Sequence, residues 1–222
     1  MSKEMILEKQ QQAVEILKEK NIDMWITFVR ESSLMTDPVM DMTVGVNSTW
    51  QAAFCINKDG DTTAIVGSME EGNFKKAGLY KNIITYLKSI REPFRDYIVR
   101  KNPSKIAINF SKNSVLADGL TYGMYQILLE HLEGTEYAKR LVSSEEIISA
   151  LRGRKSATEV AIMKEAVKET LKIFDDAFKN VFNVIIANNK IACEAALDKA
   201  NDLGYSPHIF STSLSGDSRK VA

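Results

Sequence analysis

One capped, amphipathic stretch constrains this chain more than any other: Leu151–Thr170, LRGRKSATEVAIMKEAVKET. Ser156 and Glu159 stand at the Ser-x-x-Glu spacing of a capping box. In that arrangement the serine oxygen accepts from a free amide of the first turn, and the glutamate reaches back to the serine amide. Val160, Met163, Val167, Leu171, Phe174 and Phe178 follow at steps of three and four. The spacing predicts a long helix that begins near Ala157 and buries one face. Glu159 and Glu165 lie early in it, where the helix dipole favours negative charge. The basic cluster Arg152, Arg154 and Lys155 precedes the cap. By itself this pattern fits a surface helix packed on a core.

Upstream of the cap two periods alternate. Lys3–Lys20 carries an apolar stripe of Ile6, Val14, Ile16 and Leu17, with lysines and glutamates elsewhere, and reads as a helix stopped at Asn21. Asp23–Val29, DMWITFV, is a short run of β-forming residues and predicts a buried strand. Arg30–Asn47 contains Pro38, Gly45 and many Asp, Ser and Thr residues, which predicts a long loop with a short helical turn. Ordered loops of that length tend to be functional. Trp50–Asn57 and Thr62–Gly67 flank Lys58-Asp59-Gly60-Asp61, and Asp-Gly between two strand patterns predicts a hairpin. Asp59 and Asp61 read as turn formers, because the calcium-loop spacing and its closing glutamate are absent.

The pattern continues with a helix over Ser68–Ala77, capped by Ser68 and ended by Gly78. Asn82–Tyr86 reads as a strand, Ile90–Lys101 as a helix with Pro93 near its start, and Lys105–Asn109 as a strand. Ser114–Glu133 reads as a longer helix, Tyr137–Leu141 as the approach to a last short segment, and Ser143–Ala150 as a small helix. Strands that alternate with helices after an initial hairpin predict an α/β domain, a mixed sheet with helices on both faces. Beyond Phe182, Asn188–Leu203 reads as a further helix stopped by Gly204.

Composition narrows the function classes. The chain has 222 residues, 45% hydrophobic and 26% charged, enough for one full core and part of a second. Formal net charge is zero, so no global field favours nucleic acid or an anionic membrane. The opening MSKEMILEKQQQ lacks the apolar core of a signal peptide, and no stretch is long and apolar enough to span a bilayer. Cys55 and Cys193 are far apart and predict reduced, buried thiols in a cytoplasmic protein. No Gly-x-Ser-x-Gly elbow and no phosphate-cradling glycine loop occurs. His131 and His208 are the only histidines. His131, late in a leucine-rich helix, is expected to be exposed or to face the helix C-terminus. His208 has no partner ligands at useful spacing, and a catalytic metal needs several convergent ones.

The wording of the capped stretch carries a resemblance. Leu151-Arg152, Lys155-Ser156, Glu159, Met163 and Ala166 match LR-x-x-KS-x-x-E-x-x-x-(I/M)-x-x-A. This resembles the segment that, in the Xaa-Pro aminopeptidase, prolidase and creatinase family, joins an N-terminal α/β domain to a pita-bread domain. The order of elements upstream is similar too. The resemblance implies two domains: at 1–150 a mixed sheet of about six strands flanked by helices, of creatinase N-terminal type, and at 151–222 a linker helix and the helices of an incomplete pita-bread α+β domain. It also implies a cytoplasmic, homodimeric parent that hydrolyses X-Pro peptide bonds with a divalent metal pair (Mn, Co or Zn). The family's metal ligands match no position of this chain, so no catalytic or metal residue and no cofactor is assigned within it. Its expected part is to shape the substrate site and to dimerise, inactive alone, with no nucleic acid or membrane partner.

The resemblance directs attention to the loop after the first strand, which in relatives helps form the active-site mouth, often across a dimer interface. Arg30, Asp37, Asp41 and Trp50 are the candidate substrate-loop residues. An arginine can fork a carboxylate, and a tryptophan can wall a proline ring. The family's Tyr-Leu-Thr-Gly signature does not occur in this loop. Two alternatives stay open: a free-standing, non-catalytic α/β binding or dimerisation module, and a creatinase-like amidinohydrolase parent.

Overall fold

The computed structural model describes residues 1–185, together with Asp198, Lys199 and Asp202. The chain divides into two compact units, Met1–Val160 and Ala161–Ala222. The first unit runs α1 (Lys3–Glu19), β1 (Met24–Val29), β2 (Ala52–Asn57), β3 (Thr62–Gly67), α2 (Glu71–Ala77), β4 (Asn82–Tyr86), α3 (Arg91–Lys101), β5 (Ile106–Ile108), α4 (Tyr122–Leu132), β6 (Leu141–Ser143) and α5 (Glu145–Gly153). A further helix, α6, spans Ala157–Ile185 and starts within this unit.

The strands form one six-stranded sheet in the order β4-β3-β2-β1-β5-β6. β2 is antiparallel to β1 and β3, and the other neighbouring pairs are parallel. The β2–β3 hairpin pairs Ala53 with Ile65 and Ile56 with Thr62, and the turn between the two strands places Gly60 at φ +85°. That conformation favours glycine, which is why the Asp-Gly signal succeeds here.

Side chains alternate across the sheet. Met24, Ile26 and Phe28 join Ala53, Cys55, Ile65, Ile106 and Ile108 on one face, under Phe94 and Ile98 of α3 and Leu128 and Leu132 of α4. On the other face Trp25, Ile56 and Ala107 pack against Ala13, Ile16 and Leu17 of α1 and Ile147, Ile148 and Leu151 of α5. The expected α/β class, a mixed sheet with helices on both faces, is the one found. Cys55 lies inside it as a free, buried thiol, and burial pushes its pKa far up, which disfavours the reactive thiolate.

The differences are instructive. The helix expected over Ser114–Glu133 is broken: Val115–Ala117 forms a single tight turn, and α4 begins at Tyr122 with Thr121 as its cap. Gly119 falls in the break, and the Leu120 amide turns aside to the Asn109 carbonyl at 2.8 Å. The helix over Ser68–Ala77 opens with a tight turn, and the Ser68 side chain caps nothing. Lys9 belongs to the supposed polar side of α1, yet it is fully buried. His131 is buried too, not exposed. Met163, Val167, Leu171, Phe174 and Phe178, the predicted buried face of α6, are all at least half exposed among the described residues. Periodicity reports a face that wants cover, not what covers it. Of the expected Asn188–Leu203 helix only Asp198, Lys199 and Asp202 are described, each of them helical, and Cys193 and His208 lie outside the described residues.

Candidate functional site

β1, β5 and β6 are parallel neighbours, so the loops that leave their carboxyl ends meet at one edge of the sheet. Crevices outside the carboxyl ends of strands are where open α/β sheets bind ligands. The β1 loop, 30–51, closes on itself: the Ser32 amide donates to the Ser48 carbonyl at 2.9 Å and the Glu31 amide to the Thr49 carbonyl at 3.1 Å. Glu70, just before α2, accepts from the Thr49 amide at 2.6 Å and the Ser48 hydroxyl at 2.8 Å. Mid-loop, Met40–Val44 winds as one wide helical turn ended by Gly45 at φ +69°. The Thr43 carbonyl on that turn accepts from Gln10 Nε2 at 2.8 Å and from the Tyr80 hydroxyl at 3.1 Å.

Under the loop lies a buried polar network centred on Asn109. Its Oδ1 accepts from Trp25 Nε1 at 2.7 Å and Ser144 Oγ at 2.8 Å. Its Nδ2 donates to Asp37 Oδ2 at 2.9 Å and Thr27 Oγ1 at 3.3 Å. Both acceptor sites and both donors of the amide are used, so its orientation is fixed. Asp37 is 1% exposed, and its Oδ1 accepts from the Val39 amide at 3.0 Å. Burial raises its pKa above the ordinary carboxylate value, against the opposing pull of those two hydrogen bonds. A Cβ at Gly119 would stand 2.2 Å from Asp37 Oδ2, so the second loop can close over the carboxylate only as glycine.

The two loops bound an open depression of about 730 Å³ lined by Leu34, Met35, Pro38, Phe110, Tyr122 and Tyr125 among others. Leu34 is 79% exposed and Met35 64% exposed, on a loop whose backbone is held at both ends and in the middle. A rigid loop that presents bare apolar side chains is suited to contact, because little conformational freedom is lost on binding.

The four sequence candidates do not form one constellation. Arg30 and Asp41 are exposed, Asp37 is buried in the network, and Trp50 lies at the far end of the loop. Trp50 packs 5.9 Å from the Tyr86 ring and against Gly67, where a Cβ would come within 2.5 Å of its Cε3. No hydrogen bond or ion pair joins any two of the four. Sequence reasoning missed Asn109, Ser144 and Gly119. The available signals were a polar residue closing an apolar strand pattern and a glycine inside a helical one.

The histidine of α4 makes no ligand site. His131 Nε2 lies 3.1 Å from the Gln51 side-chain oxygen, a contact suited to the tautomer that carries its proton on that nitrogen. The ring stands edge-on to Phe28, with centroids 6.0 Å apart. Among the described residues, no three His, Cys, Asp or Glu side chains converge to hold a metal ion.

Comparison with known proteins gives the fold a context. The X-Pro aminopeptidase of Thermotoga maritima superposes with a TM-score of 0.52 at 11% identity, over 76% of this chain and 42% of that one. The Xaa-Pro dipeptidase of Bacillus anthracis superposes with a TM-score of 0.50 at 18% identity, over 81% of this chain and 43% of that one. This chain therefore spans less than half the length of either structure. The likeness is one of fold, a mixed six-stranded sheet flanked by helices, as the resemblance implied. No family model matches the sequence. A glycerate 2-kinase of Pyrococcus horikoshii is 39% identical over 57 residues, which is 26% of this chain and 12% of that protein, too little of either to carry an activity.

Proposed function

We propose that this chain is the N-terminal, substrate-shaping and dimerisation part of a Xaa-Pro peptidase-like metallohydrolase. The observation that carries the reading is the shared fold with a Xaa-Pro dipeptidase and an X-Pro aminopeptidase. The family wording at Leu151–Ala166, found where α5 gives way to α6, supports it independently. The parent acts on peptides in the cytoplasm, and a divalent metal pair would supply water activation and carbonyl polarisation there. The described residues gather no donor set for such a pair. Their contribution is the pinned β1 loop with its apolar tip, which offers a wall to a substrate or to a second subunit.

Two measurements test this. The chain alone, incubated with Xaa-Pro dipeptides and manganese or cobalt, is expected to show no turnover; turnover above the metal blank would overturn the assignment. Sedimentation of the wild type is expected to show a dimer that Leu34→Asp with Met35→Asp weakens. Both side chains are exposed, so the folded monomer should lose no more than about 0.5 kcal/mol per substitution. A wild type that is monomeric at every concentration removes the dimerisation role.

A further inference from the structure

Charged side chains of α1 hold the short passage between α5 and α6. α5 ends at Gly153 and α6 begins at Ala157, so only 154–156 connect them. Lys9 Nζ is buried against this passage. It donates to the Leu151 carbonyl at 2.9 Å and the Arg154 carbonyl at 2.7 Å, and to Gln12 Oε1 at 3.2 Å. It also pairs with Glu159 Oε2 at 2.6 Å. The carbonyls at the end of α5 lack helical partners, and the helix dipole favours a cation there.

Glu159 serves two roles at once. Its Oε2 accepts from the Ser156 amide at 2.7 Å, while Ser156 Oγ accepts from the Glu159 amide at 3.2 Å. The capping box of α6 is thus complete, and the same carboxylate oxygen binds Lys9. One residue back on α1, Glu8 Oε1 accepts from the Thr158 hydroxyl at 2.7 Å. Glu19 takes both terminal nitrogens of the Arg154 guanidinium, at 2.7 and 2.6 Å. Gly153 has nothing within 4 Å of where a Cβ would stand, so packing does not limit the freedom a glycine gives the passage.

We propose that Lys9 is the positioning residue of a fixed joint: it ties the end of α5 and the capped start of α6 to α1, so that the passage at Gly153–Ser156 does not hinge. Here a single ammonium satisfies two helix ends, and its loss would leave the Glu159 carboxylate partly buried without its cation. The joint does not depend on the peptidase reading.

Hydrogen exchange on the full chain tests it. Lys9→Met should speed exchange at the Ser156–Val160 amides by about tenfold or more and leave β1 and β2 unchanged, because opening would be local. Trypsin cleavage after Arg154 and Lys155 should accelerate in parallel. Wild-type exchange at Ser156–Val160 in the variant would overturn the proposal. Equal acceleration in β1 and β2 would also overturn it, since Lys9 would then be a general support of the core. Should Lys9→Met fail to fold, Glu159→Gln reads the same joint from a partly exposed position. Faster exchange confined to Ser156–Val160 supports the proposal, and unchanged exchange refutes it.

Discussion

Asn109 Nδ2 donates to the Asp37 carboxylate at 2.9 Å, although 72 residues separate the two in sequence. This bond joins the loop that leaves β1 to the end of β5, next to Thr36, Pro38 and Phe110, which line the apolar depression. Asp37→Ala would strand one N–H of the Asn109 side chain and the Val39 backbone amide, both buried. The loss should be about 1–3 kcal/mol, read from the urea midpoint at constant slope. The pH dependence has a definite sign. Burial raises the folded-state pKa of Asp37, so its contribution is fully present below the unfolded value and declines as pH rises through the raised one. The stability gap between wild type and Asp37→Ala should therefore be wider near pH ~4 than at neutrality.

Gly119→Ala tests the same contact from the other side. The added methyl would meet the Asp37 carboxylate at 2.2 Å, and the network around Asn109 leaves that carboxylate no alternative position. A loss of about 1–3 kcal/mol is expected from overpacking, with slower exchange lost first at the Leu120 amide. A variant as stable as wild type would show that the two loops can separate without cost.

His131 should make the fold sensitive to mild acid. Burial, aided by the Arg91 charge, lowers its pKa below the ordinary value of 6.5, so the folded state holds the neutral ring. Its contribution is complete above that value and is lost as pH falls through it toward the lowered one. The melting temperature of the wild type should fall between about pH 6.5 and 5, and His131→Gln should flatten that fall. The lowered carboxylates Glu8, Asp23 and Glu159 titrate below this window. An identical pH profile in the variant would refute the assignment.

Trp50 should respond to a methyl group it does not carry. Gly67→Ala would place a Cβ 2.5 Å from its indole, which must then leave the strand surface and its packing on Tyr86. Trp25 is buried, so acrylamide quenching that increases on substitution reports Trp50. Quenching at the wild-type level would mean that the ring has room to shift in place.

Much of the fold was legible from neighbouring residues. The three-residue step from Ser156 to Glu159 brings both halves of the capping box together in any helix, and both bonds are present. Asp59-Gly60 turns the β2–β3 hairpin because Gly60 alone can hold φ +85° there. The helix over Ser114–Glu133 failed on the same kind of evidence. Its apolar spacing is real, but the Leu120 amide donates to the Asn109 carbonyl at 2.8 Å and not within its own turn.

The site was less legible. Arg30, Asp37, Asp41 and Trp50 share a loop in sequence, yet only Asp37 enters the polar network, and it does so as a buried anchor. Asn109 and Ser144 looked like strand and helix ends until β1, β5 and β6 were laid side by side.

Sequence by itself determined where helices and strands fall, because those patterns depend on residues a few positions apart whose geometry the backbone imposes. Only the tertiary structure decided which charged and polar side chains are buried. Lys9 meets the Leu151 carbonyl across 142 positions, and His131 meets Gln51 across 80. Such pairs exist only once the strand order has brought distant segments together, and a buried polar group is tolerable only where that folding supplies its partner.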